Sequence, residues 1–165
     1  MEGQLTAEAG TAGRRAPFHT LARYLMTSSL RRTLPGHLWV RRDAAVVVDD
    51  RTAAEPDIVV VDAETDQVVL AVEVVPADGE AVDGEADGEG DGEAGAADAA
   101  QTYATAGIAH FWRVEQDPVT DRPMVYVHER DAATGAYALT GVHREELAVP
   151  VPYRITVDLT GIDHL

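Results

Sequence analysis

From Gln67 to Val75 the chain reads QVVLAVEVV, seven apolar residues in nine. A run so nearly continuous and so rich in β-branched residues is the mark of a strand buried on both faces, at the centre of a sheet covered by helices. It constrains the fold more than any other feature, because the flanking sequence must supply neighbouring strands and covering layers. DIVVVD, after Pro56, reads as a short strand with an acid at each end, close enough to form a hairpin with QVVLAVEVV. Beyond the central run come an acidic stretch, the alanine-rich helix AADAAQTYATAG with Gly107 as its left-handed cap, and the strand IAHFWRVE. Strand, crossover helix and strand make a right-handed βαβ unit. PMVYVHER and AYALTGV form a hairpin joined by DAATG, and YRITVDL alternates as a final strand of the mixed sheet. Ahead of all these, Phe18, Leu21, Leu25, Met26, Leu30 and Leu34 recur at mostly three- and four-residue intervals, an amphipathic helix that Pro35-Gly36 stops; HLWVRRDAAVVVDD then supplies one or two extended segments. The expected class is α/β in the mixed α+β sense, a mixed central sheet flanked by helices.

The length of 165 residues suits one domain, placed at 16–165, with 1–15 a disordered tail and 77–97 an acidic loop insertion. No cysteine is present, which excludes disulfides, thiolate metal sites and cysteine nucleophiles. MEGQLTAEAGTAGRR lacks the apolar core of a signal peptide, and no run reaches membrane-spanning length, so a cytoplasmic protein with no membrane partner is expected. The formal charge of −16 disfavours general nucleic-acid binding, since phosphates are held by accumulated positive charge. The charge is uneven: residues 1–51 hold eight arginines against five acids, and the remainder five arginines against 24 acids. The basic side is therefore N-terminal, with Arg31, Arg32, Arg41 and Arg42 as candidate nucleic-acid contacts. Trp39, Phe111 and Trp112 are expected to pack in the core. The sequence is also compatible with a homodimer.

Glu73 is the residue that does not belong, a carboxylate whose near neighbours in sequence are all apolar. An ionised carboxylate left unpaired in an interior costs several kcal/mol and finds a cation, a hydrogen bond or a proton. Proline fixes the chain just before Asp57, and a hairpin between the two strands would bring Asp57 beside Glu73. Two converging carboxylates repel unless a hard cation lies between them, and magnesium favours one or two carboxylates completed by water and phosphate oxygens. Phosphodiester hydrolysis uses such a pair.

Pro56-Asp57, Glu73 within LAVEVV, Tyr103 and the run AGIAHFWRVE, with His19 in APFH leading into the first helix, resemble the Uma-two family of restriction endonucleases in the PD-(D/E)XK nuclease superfamily. The resemblance covers about Ala16 to Leu165 in order of elements, and YATAGIAHFWRVE is its most specific piece. It implies a restriction-endonuclease-like core, Mg2+ or Mn2+ held by Asp57 and Glu73 as catalytic residues, and DNA as substrate. The chain departs from the pattern at the lysine. Val75 stands two residues after the glutamate and Ala99 stands one helical turn before the tyrosine, the two places where the family and its superfamily carry that cation. A weakened or inactive endonuclease is therefore the expectation.

The acidic stretch from Asp78 to Gly95 holds four Asp-Gly-Glu triplets. Asp87, Glu89, Asp91, Gly92 and Asp98 fall at calcium-loop spacing, but the apolar eighth position is only Ala94, the last acid is not glutamate and no helix enters, so composition alone accounts for the match. A solvated loop is the plainest reading. The alternative is a non-catalytic interaction module whose acidic loop binds a basic partner or mimics DNA. His110 and His128 read as ordinary strand residues, not zinc ligands.

Overall fold

The computed structural model describes residues 17–77 and 92–165, with side chains from 17 to 77 and from 98 onward. Helix α1 (Phe18–Arg32) buries Phe18, Ala22, Leu25, Met26 and Leu30, and Arg31 and Arg32 in its last turn suit the negative end of the helix dipole. Strands β1 (Leu38–Arg42), β2 (Val46–Asp49), β3 (Thr52–Ala54), β4 (Ile58–Asp62) and β5 (Gln67–Val74) follow. Helix α2 (Gly92–Thr105) leads to β6 (His110–Gln116), β7 (Pro123–Arg130) and β8 (Tyr137–His143). The chain closes with β9 (Glu146–Val149), β10 (Ile155–Asp158) and a 3-10 helix, Leu159–His164.

The six-stranded sheet has the order β1-β4-β5-β6-β7-β8. Only β5 and β6 run parallel, joined by the crossover that contains α2; the other neighbours are antiparallel. β5 is thus an inner strand, as its apolar run requires, and Leu70, Ala71 and Val72 are fully buried. Side-chain alternation splits the sheet into two faces. Ile58, Val60, Leu70, Val72, Trp112 and Val114 pack with α1, β9, β10 and the 3-10 helix; Val59, Val61, Ala71 and Phe111 pack with Tyr103 of α2 and Val46 of β2. Gly107 ends α2 with φ of 81°, the left-handed cap its position in the sequence suggests.

Three expectations need correcting. YRITVDL does not join the main sheet: β10 pairs with β9 in a separate antiparallel ribbon laid against α1. Its alternation, with Ile155 and Val157 buried and Thr156 and Asp158 exposed, fixes which face is covered but not which strand is the neighbour. Second, α2 starts at Gly92, inside the segment assigned to the acidic loop. The rest of that loop, 78–91, and the tail 1–15 lie outside the described residues. Third, Trp112 and Phe111 are buried, but Trp39 is 51% exposed. It lies on edge strand β1, on the opposite face from buried Leu38 and Val40, with the Arg41 guanidinium 5.2 Å from its ring centroid.

Candidate active site

The register of the β4–β5 hairpin builds the site. Ile58 pairs with Val72, and continuing that antiparallel register by one residue sets Asp57 opposite Glu73. Residues directly opposed in this way have Cβ atoms about 5 Å apart, near enough for two carboxyl groups to meet. Pro56 is buried and anchors the chain just before Asp57. One Asp57 oxygen, Oδ2, accepts the Val74 backbone N–H at 2.7 Å, tying the start of β4 to the end of β5. The other, Oδ1, lies 3.0 Å from His19 Nε2 and 3.4 Å from Arg23 Nε. His19 and Arg23 are four apart on α1 and so share one helix face. Arg23 also reaches Asp43 through Nη2 at 2.7 Å.

Glu73 has a different environment. Burial pushes its carboxyl up to about 7, the Asp57 charge and a hydrogen bond between the two carboxyls push the same way, and the Tyr103 hydroxyl and the His19 charge oppose the rise. Tyr103, fully buried on α2, donates that hydroxyl to Glu73 Oε1. Burial and the neighbouring Glu73 raise the tyrosine well above its ordinary range, so it stays a donor. The carboxylates are therefore unlike: Asp57 is surrounded by donors, whereas Glu73 exchanges a proton near neutrality.

Neither position at which the resemblance leads one to expect a lysine carries a cation. Val75 is half-buried, its N–H donating to Val114 O at 2.8 Å, and Ala99 packs against the α2-side core. Gln101 is exposed, its Nε2 3.5 Å from Thr105 Oγ1. Other groups flank the pair: His19 and Arg23 of α1 lie against Asp57, and Arg113 of β6 stands in register with Glu73. The four arginines singled out from the sequence are all exposed. Arg31 and Arg32 lie at the far end of α1 from His19, about 18 Å along its axis at 1.5 Å per residue. Arg42 is nearer, pairing with Ile58 one residue from Asp57, while Arg41 lies over the ring of Trp39. The sequence carried one cue to Arg113: like Glu73, it is a charge within an apolar strand. The approach of His19 and Arg23 to Asp57 had no such cue, because the docking of α1 on the sheet creates it.

Two carboxylates suit a hard divalent cation, with Asp57 and Glu73 as the oxygen donors. Among the described residues no group of three or more His, Asp or Glu side chains stands together as a metal site. A metal held here would therefore draw the rest of its shell from water and substrate. Compared with protein-family models, curated proteins and solved structures, the chain matches none.

Proposed function

We propose that this chain is a metal-assisted DNA endonuclease of the Uma-two type with a restriction-endonuclease-like core, its turnover weakened by the missing lysine. The observation that carries the reading is the convergence of Asp57 and Glu73 across the β4–β5 register. Asp57 and Glu73 would hold Mg2+ or Mn2+, and the chemistry such an ion supplies is orientation of water and neutralisation of phosphate charge. Tyr103 fixes the Glu73 carboxylate, and His19 and the Val74 N–H fix Asp57. Losing one preorganised electrostatic partner costs about 10²–10³ in rate, the scale expected for the absent lysine. A cytoplasmic location accords with the cysteine-free composition.

Metal titration followed by calorimetry and thermal unfolding tests the site apart from activity. Magnesium or manganese should stabilise the native chain, more at pH 8 than at pH 5.5, because binding needs Glu73 ionised. Glu73→Gln should remove the effect. Cleavage of plasmid DNA by the native chain is then compared with Val75→Lys and Ala99→Lys; a gain in either identifies a decayed site. A chain that neither binds metal nor gains activity from lysine sinks the endonuclease reading.

One observation favours a non-catalytic module. Asp57 is already balanced by His19 and Arg23. On that reading Asp78 to Gly95 recruits a basic protein, and deleting the segment abolishes its capture.

A further inference from the structure

We propose that Arg113 is the phosphate-holding group of this site, gripping the backbone of a DNA strand beside the carboxylate pair. The inference rests on the reading that the site takes a phosphodiester. In the parallel pairing of β5 with β6, Arg113 stands level with Glu73, and registered neighbours point to the same face of a sheet. Ala71 and Phe111, paired two residues earlier, confirm the face by packing together on the α2 side. Strands are about 4.8 Å apart, so the Arg113 stem starts one strand from the candidate metal carboxylate.

The guanidinium is held in place. Its Cζ lies 4.9 Å from the ring centroid of Tyr126, the residue level with Arg113 on β7, and its Nε lies 3.0 Å from Glu115 Oε1. Stacking on the ring fixes the plane, and the Glu115 carboxylate stands beside the Nε edge as an ion pair, not a hydrogen bond. Among the described residues its Nη nitrogens make no hydrogen bond, Glu115 is its ion-pair partner, and the side chain is 29% exposed. A planar fork held by stacking, with its Nη nitrogens not hydrogen-bonded, matches two phosphate oxygens. Arg23, on the other flank, lacks this freedom because Asp57 and Asp43 both engage it. Among the described residues, Arg113 combines a place level with Glu73, a stacked guanidinium plane and Nη nitrogens that are not hydrogen-bonded.

Fluorescence anisotropy of a short labelled DNA duplex, over a salt series with magnesium present, tests the assignment. Arg113→Gln should weaken binding alike across duplex sequences and lower the salt slope by about one, the signature of one lost phosphate contact. Arg113→Lys should restore the slope while leaving affinity below native, since a point charge replaces a fork. Should Arg113→Gln fail to fold by circular dichroism, Arg113→Lys and Tyr126→Leu still decide, each expected to lose affinity. Native affinity and slope in the variants that fold overturn the assignment. If metal still binds through Asp57 and Glu73 in that case, the endonuclease reading survives. Arg113-dependent DNA binding with no metal binding overturns the endonuclease reading and leaves the phosphate contact standing, and a native chain that binds no duplex overturns both.

Discussion

Glu73 is the residue whose chemistry reaches furthest. Its carboxyl titrates near 7 in the fold against an ordinary value of 4.5, chiefly because burial disfavours the charge. Between those values the folded chain holds a proton that the unfolded chain has released, so stability falls as pH rises through that window and levels off above it. Glu73→Gln keeps the acceptor for Tyr103 and never ionises. In metal-free buffer it should match the native chain below pH 4.5 and exceed it above pH 7, by up to about 3 kcal/mol, in urea unfolding. An advantage independent of pH would show that Glu73 is not the group responsible. Asp57→Ala removes the acceptor of the Val74 N–H and the partner of His19, and should cost about 1–3 kcal/mol in the same measurement. Asp57→Asn keeps an acceptor for Val74 and should cost less. Metal binding is therefore better assayed in Asp57→Asn than in the alanine variant.

Among the elements, α1 depends on partners distant in sequence. Tyr153, in the loop before β10, donates its hydroxyl to Leu30 O at 2.7 Å, and Thr33 Oγ1 donates to Arg154 O at 2.8 Å. The Tyr153 hydroxyl is raised to about 12 by burial, so it remains protonated and donating across ordinary pH. Tyr153→Phe should lower stability by about 1–2 kcal/mol without altering the far-UV circular dichroism, since a buried carbonyl near the end of α1 loses its donor. These elements also show where sequence stops informing. Runs with one clear period, such as α1 or the apolar β4 and β5, were legible because period and burial are the same information. β9 was not, because ELAV is short and gains its meaning from pairing with β10; nor was the membership of β10 in a separate ribbon. The same limit divided the site. Asp57 and Glu73 could be placed together from a hairpin of neighbouring strands, whereas His19 and Arg23 arrive from α1, whose docking no local pattern encodes.

Over the whole molecule, the charge of −16 sets the response to solution conditions. Self-repulsion destabilises the compact state and salt screens it over a Debye length of about 10 Å at 0.1 M. Raising ionic strength at pH 8 should therefore raise the thermal midpoint by a few degrees, about 4–8 °C for each kcal/mol gained in a chain somewhat smaller than this one, and proportionally less here. A midpoint that falls with salt would mean that ion pairs such as Arg122–Asp163 outweigh the excess charge. Among the described residues no helix is long and apolar enough to cross a membrane. A last consequence follows from the bond between Asp57 and the Val74 amide. An aspartate that fastens one strand to the next is kept by the demands of folding whether or not the site turns over a substrate. Its persistence in a descendant would thus say little about catalysis, and drift at Glu73 would be the more telling sign of a site under no catalytic demand.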